Sequence, residues 1–436
     1  MLLVAPSLLL FVIYLVKKGW LKLFFPILIG IILSLLSVYL SENNPVPFAD
    51  ISDAATYVLM AEKLVHKSLS IGDIAMKPGV QYIPFVIILS FLYVASLFNH
   101  LVFVLSTYFL NILLIFWSLY YLSKNLKIKN QWLSYLLYYN PGIFLISIST
   151  IRDPFIFFFS TILIVELIKF SKNYQNYKKI IFAFLGLSLF RFLQSIVIII
   201  TFLIGNWFGK MTKPRGFIGK FIVVVLTLVV LFLVMLLILP TDILRIALFP
   251  SFYDTEFDRF LVETFNLVSD NRINAFLGYM KYIAFRLPFT LIGRGPLSDV
   301  FVIVTNVKAG FYYSNGVKSM LMFLYDSFRL MIFFPLLLIT LSIWKRKLSK
   351  TDFGILLSLI LLYVIMGTIY TIKFYGFQPR IRVFIEIMIL AFCSNIYSKY
   401  RHTEIAKSLA LSLYPIFSVI LVVAEFLYRI GFYNLP

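Results

Sequence analysis

Residues 169–220 read KFSKNYQNYKKIIFAFLGLSLFRFLQSIVIIITFLIGNWFGKMTKPRGFIGK. Lys169, Lys172, Lys178 and Lys179 stand on one side of an apolar stretch, and Lys210, Lys213, Arg215 and Lys220 stand on the other. Basic clusters that flank membrane-crossing segments stay on the cytoplasmic side. The chain between these two clusters must therefore leave and return on the same side. A pair of short half-helices with Arg191 at the tip meets that demand, and Leu185-Gly186 is the expected softening point. An arginine at that depth implies a polar or water-filled cavity around it. One continuous helix through Arg191 would instead invert every later basic cluster.

Working outward, four more clusters follow the same rule: Lys17/Lys18/Lys22, Lys124/Lys127/Lys129, Lys345/Arg346/Lys347/Lys350 and Lys399/Arg401/Lys407. Together the six hold 21 of the 39 basic residues, so the net charge of +20 is a signature of membrane flanks and anionic lipid, with no nucleic-acid partner implied. Between the clusters, spanning helices are predicted near 2–16, 24–40, 101–122, 131–149, 154–170, 221–240, 319–343, 353–372, 383–398 and 408–430. A crossing helix needs about 20 apolar residues, and a hydrophobic content of 61% with mean hydropathy +0.96 supplies them. The expected fold is an all-α polytopic membrane protein with about 10–12 transmembrane helices plus interfacial and half-helices. It reads as one membrane domain over 1–436, in which 41–100 is a first outer loop with interfacial helices and 241–318 a large outer loop. Segment 82–97 is apolar enough to span, but a crossing there would put Lys124–Lys129 outside; Pro84 and the polar end Asn99-His100 suit a helix at the outer interface. Lys17 and Lys18 follow the first apolar run instead of preceding it, so that run reads as a retained helix, not a signal peptide.

Several chemistries lose their usual support. The lone Cys393 excludes an internal disulfide and a cysteine-based zinc site, and His66, His100 and His402 are scattered along the chain. There is no phosphate-loop lysine motif, no paired-histidine zinc motif and no dinucleotide glycine fingerprint. No internal repeat supports an inverted-repeat transporter.

The outward segments carry the candidate residues. Asp53 suits the cap of a helix starting at Ala54, with Tyr57 and Ala61 on one face, and Asp50 lies three residues earlier. Two carboxylates at a membrane surface can hold a divalent cation or act as general base toward a sugar hydroxyl. Ile151-Arg152-Asp153-Pro154 is a helix start by its proline, yet it also puts a cation beside an anion at the outer face, suited to a lipid phosphate and an acceptor hydroxyl. Arg191, Arg286, Arg294, Arg380 and Arg382 are isolated outward arginines, and a guanidinium fork matches phosphate oxygens in bidentate fashion. Arg152, Arg191, Arg380 and Arg382 are expected to approach one outer cavity. Charges otherwise avoid the helix interiors, with Arg191, Glu166 and Glu425 as the main exceptions, which argues against a transport path.

This layout resembles bacterial polysaccharide repeat-unit polymerases (the O-antigen polymerase, Wzy-type, and EpsG-like proteins) and is similar to the wider GT-C-fold glycosyltransferases. The resemblance rests on Asp53-Ala-Ala-Thr-Tyr57, on the run from Tyr121-Leu-Ser-Lys124 through Asn140-Pro141 to Ile151-Arg152-Asp153 and on to Leu189-Phe190-Arg191-Phe192, and on Arg380-Ile-Arg382-Val-Phe384. EpsG-like proteins usually show Arg-Gln where this chain has Arg152-Asp153, and a His where it has Arg191. The resemblance implies a GT-C-like fold in a bacterial inner membrane, with the active site facing the periplasm. It implies polymerisation of undecaprenyl-diphosphate-linked oligosaccharide units for lipopolysaccharide O-antigen or capsule. The implied roles are Asp53, Asp153 or Asp50 as catalytic or metal-contacting acid, and Arg152, Arg191, Arg380, Arg382, Arg286 and Arg294 as phosphate ligands. Tyr57 and His100 are further site candidates. A chain-length regulator protein is the implied partner and a divalent cation the candidate cofactor. Transfer of a single sugar from a polyprenyl-phosphate donor is the alternative within the class, and a lipid-linked oligosaccharide flippase the alternative outside it.

Overall fold

A computed structural model describes residues 4–42, 52–76, 80–126, 128, 131–148, 151–172, 176–211, 277–278, 321, 324–334, 336–337, 340, 348–374 and 379–400. Every regular element among them is helical, as an all-α membrane protein requires, because in lipid each backbone polar group must be satisfied within its own segment. Five helices are long and apolar enough to cross a membrane: Leu21–Tyr39, His100–Leu126, Asp153–Ser171, Tyr177–Gly209 and Lys350–Ile369. The predicted helices at 221–240 and 408–430, the outer loop 241–318 apart from 277–278, and Asp50, Arg286 and Arg294 lie outside the described residues.

The first helices are α1 (Val4–Lys17), α2 (Phe24–Glu42), α3 (Ser52–Val65), α4 (Ile71–Met76), α5 (Ile83–Ala95) and α6 (His100–Leu126). Next come α7 (Gln131–Tyr138), α8 (Pro141–Ser147), α9 (Asp153–Ser171) and α10 (Tyr177–Met211). A helical stretch over 324–334, π-helical at Arg329–Phe333, precedes α11 (Lys350–Phe374) and α12 (Pro379–Tyr400). Contacts gather the basic clusters at one end of the bundle. Lys22 Nζ reaches Ser134 Oγ at 3.4 Å, Tyr14 Oη meets Tyr120 Oη at 3.1 Å, Lys179 lies over the Tyr121 ring, and Lys172 pairs with Asp352 at 3.5 Å.

The stretch 131–149, expected as one helix, is two. Asn140 caps α8 by accepting from the Gly142 amide at 2.9 Å, and Pro141 opens it, so an Asn-Pro pair stops one helix and starts the next. The break lets Gly142 slide under Val383 and Tyr325, where an added Cβ would sit 2.5 Å from the Val383 side chain.

The fold-back expected at Arg191 is present, but its arms, 177–190 and 192–211, are longer than the short half-helices expected. Although 177–209 is apolar and long enough to cross outright, α10 breaks at Arg191 (φ −154°, ψ 82°). Ser188 Oγ and Ser195 Oγ, seven residues apart, are 2.8 Å from each other; an unbroken helix would separate their backbones by about 10 Å. Tyr177 meets Phe170 near the lysine-rich end of α9, Phe190 stacks on Phe155 near its other end, and Gly209 returns to the Lys350 carbonyl. The arms therefore fold back on each other with Arg191 at the turn. Gly186 is not the softening point expected of it. Its missing side chain makes room for Phe159, whose ring would stand 2.2 Å from an added Cβ.

The returning arm is held by small residues. Gly205-Asn-Trp-Phe-Gly209 faces Gly354-Ile-Leu-Leu-Ser358 of α11, with the Gly205 and Gly354 backbones in direct apposition. Membrane helices gain their packing from such close approach, since lipid offers no hydrophobic drive between them.

Helix α5, with 13 residues, is too short to cross. It does not lie across the bundle as an interfacial helix would. Tyr93 meets Phe103 at the start of α6, while Ile87, Ile88, Phe91 and Leu92 share a groove with Leu110 and Leu113 farther along. The helix thus runs back down the first half of α6, alongside α3, where Ser90 donates to the Ala61 carbonyl.

Candidate functional site

At the end of α9 remote from the lysines, three segments meet on two consecutive side chains. Arg152 is 7% exposed, stands at the N-cap of α9 and gives its carbonyl to the first helical turn. Its Nη1 donates to the Gln81 carbonyl at 3.2 Å and the Phe190 carbonyl at 3.0 Å, and its guanidinium lies over the Tyr82 ring at 4.3 Å. Tyr82 in turn packs on Tyr57 of α3, 5.5 Å between centroids. Asp153 is the first residue of α9, and Pro154 follows it. Its carboxylate faces Arg191 at the hairpin turn, with Nη2 donating to Oδ1 at 3.2 Å. The local reason is plain. Proline near the helix start leaves the preceding residues off the helix axis, and the break at Arg191 carries that guanidinium to the height of Asp153.

The structure therefore brings together Arg152, Asp153, Arg191 and, through Tyr82, Tyr57. Asp53 is described through its backbone alone; α3 begins at Ser52, which puts Asp53 within the first turn, four residues before Tyr57. His100 belongs to a different contact, its Nδ1 lying 3.0 Å from Glu62 Oε1, and both side chains remain partly exposed. Just below the hairpin turn, Gln194 is 2% exposed; its Nε2 donates to Ser160 Oγ at 3.1 Å and its Oε1 has no partner among the described residues.

Arg382 does not join this group, contrary to expectation. It is 2% exposed and sits in a second network. Arg382 Nη2 donates to Asp326 Oδ1 at 3.0 Å, and Arg329 Nη1 donates to the same oxygen at 3.2 Å. Arg329 Nε donates to Glu386 Oε1 at 2.7 Å, Tyr363 Oη donates to that oxygen at 2.9 Å, and Tyr325 Oη donates to Glu386 Oε2 at 2.5 Å. The side chain of Arg380 lies outside the described residues. Asp326, Arg329 and Glu386 overturn the expectation that charges avoid the helix interiors. The signal was available: Asp326-x-x-Arg329 and Arg382-x-x-x-Glu386 are helix-spaced opposite charges inside apolar runs.

A third polar contact lies at the lysine-rich end, where Glu166 accepts from Tyr121 Oη and from Lys169 Nζ. Among the described residues, no three His, Cys, Asp or Glu side chains stand close enough together to hold a metal ion.

Among the described side chains, two guanidinium groups and one carboxylate meet at the corner, one positive charge in excess. Arginine at that spot can bind a phosphate bidentately, and a carboxylate beside it can accept a proton from a hydroxyl. Comparison with protein-family models, with curated proteins and with solved structures gives no match. The chain is an integral membrane protein by its long apolar helices.

Proposed function

We propose that the protein is a membrane glycosyltransferase that polymerises polyprenyl-diphosphate-linked oligosaccharide units on the outer leaflet of a bacterial cytoplasmic membrane. The observation that carries this reading is the meeting of Arg152, Asp153 and Arg191 at the end of α9 remote from its lysines. The acceptor hydroxyl attacks the anomeric carbon of the donor, the carbon–oxygen bond to the diphosphate breaks, and the diphosphate leaves with the bonding pair. The hydroxyl proton passes to a carboxylate, Asp53 or Asp153. Charge develops on the departing phosphate, where Arg191 is suited to meet it; preorganised donors in a low-dielectric site are among the largest contributors to rate.

Disrupting the gene tests the reading at the level of product. A surface glycan reduced from a ladder to single units is expected, and an unchanged ladder overturns it. Asp53→Asn is expected to fold and insert yet lose elongation, because Asn keeps the shape and removes only the charge; wild-type chain length from an inserted variant eliminates Asp53 as the base. Sidedness is read by single-cysteine labelling from outside in a Cys393-free background. Position 270 should react and position 127 should not; the reverse pattern sinks the outward-facing site.

The buried network of Asp326, Arg329, Arg382 and Glu386 does not turn the reading toward transport. A passage for a charged cargo needs groups that exchange partners with it. Here two cations face two carboxylates and each meets its opposite.

A further inference from the structure

The pairing of Asp153 with Arg191 creates a conflict that the proposed reaction has to resolve. Arg191 is assigned to the donor phosphate and Asp153 is one of the two carboxylates offered to the acceptor hydroxyl, yet in this structure the two groups face each other at 3.2 Å. A carboxylate held by a guanidinium is a weak acceptor for anything else, and a guanidinium held by a carboxylate is partly neutralised toward a phosphate. We infer that the pair is a ligand-exchange gate: Asp153 occupies on Arg191 the place of the anionic head group, and arrival of the diphosphate displaces and unmasks the carboxylate.

Three observations carry this. Arg191 is the more exposed partner, at 12% of its side chain against 5% for Asp153, so an incoming anion reaches the cation first. The hairpin turn is anchored beside Arg191 by Arg152, which donates to the Phe190 carbonyl and to Gln81. The turn therefore keeps its place when the pair opens, and Arg152 acts as a positioning residue while Arg191 changes partner. Finally, the described side chains at the corner carry +2 and −1, a balance that favours an incoming diphosphate.

The consequence is an order of events, donor first and acceptor second. In the empty site the carboxylate is masked; only a bound diphosphate frees it. This inference rests on the proposed function, because it requires a polyprenyl diphosphate as ligand, but its test separates the two. Geranylgeranyl diphosphate is the probe, titrated into the full-length protein in nanodiscs with binding followed calorimetrically. Removing the competing charge with Asp153→Asn is expected to tighten binding of the probe about tenfold, in line with a competing charge–charge contact of modest size. A pair that merely holds the fold predicts the opposite sign, since loosening the turn weakens the site. Equal or weaker binding by Asp153→Asn overturns the gate. Failure of both the wild type and the variant to bind the probe overturns the proposed ligand class instead. Asp153→Ser is the second variant. If neither variant yields a stable, monodisperse protein while the wild type binds, the pair is a structural tie and the gate is wrong.

Discussion

The two arginine-bearing polar centres among the described residues are built on different terms. At the α9 corner, Arg152 spends its guanidinium on two backbone carbonyls and an aromatic face, none of which cancels its charge. In the network on α11, α12 and 324–334, each arginine meets carboxylates, and Glu386 and Asp326 each serve two donors or more. Among the described side chains, the first centre has a positive surplus and a partly exposed arginine, and the second is balanced and buried. A membrane protein keeps charge in its interior either to fasten helices or to meet a ligand, and the charge balance separates the two uses.

The comparison is most easily broken at the sealed network. Glu386→Gln leaves two guanidinium groups facing one carboxylate in a dry interior, and removal of one partner from such a network costs about 3–5 kcal/mol. A large loss of thermal stability in detergent is expected, with milder loss when Arg329→Met is combined with Glu386→Met. Equal losses from single and double variants would show that the network is not a closed set of charges.

At the corner the larger effect falls on activity. Arg191→Ala should slow glycan elongation by an amount equivalent to about 2–4 kcal/mol, the scale seen when one donor to a developing anion is lost. Arg191→Lys should restore little, because an ammonium lacks the planar fork. Full elongation by the lysine variant would reduce Arg191 to a simple positive charge. The smallest of the three effects belongs to Arg152→Ala, because water entering the emptied space can satisfy the carbonyls it leaves, and a single carbonyl left unsatisfied costs about 1–3 kcal/mol. It should lower stability and activity together, whereas Arg191→Ala should separate them; identical behaviour of the two arginines would erase the distinction between positioning and binding.

Much of the architecture was legible because charge at membrane flanks reports direction. The two lysine clusters around 177–209 required a folded-back pair, and the Ser188–Ser195 contact matches it. The corner at Arg152 and Asp153 was legible in part: a helix start with a cation beside an anion stood out in the sequence, and the hairpin turn brings Arg191 to it. What stayed hidden depended on register between distant helices. Arg382 looked like a helix-start arginine until Asp326 and Glu386 enclosed it. The turn of α10 was legible at Arg191, but the softening expected at Leu185-Gly186 was not found there, because Gly186 serves the Phe159 ring. The small-residue seam of Gly205, Gly209 and Gly354 is written in the sequence as two four-residue repeats, but only the contacts show that they face each other.

That seam has a mechanical consequence. The returning arm of the hairpin is clamped at its lysine-rich end by backbone lying against backbone, and it runs about 27 Å, the length of an 18-residue helix, to a turn secured by polar contacts. It is a strut held at both ends, so a displacement imposed at the root is carried along its length to the turn. A methyl group added at Gly205 should therefore shift the guanidinium of Arg191 without touching it. The precision of the corner is set partly by the glycines at the other end of the arm.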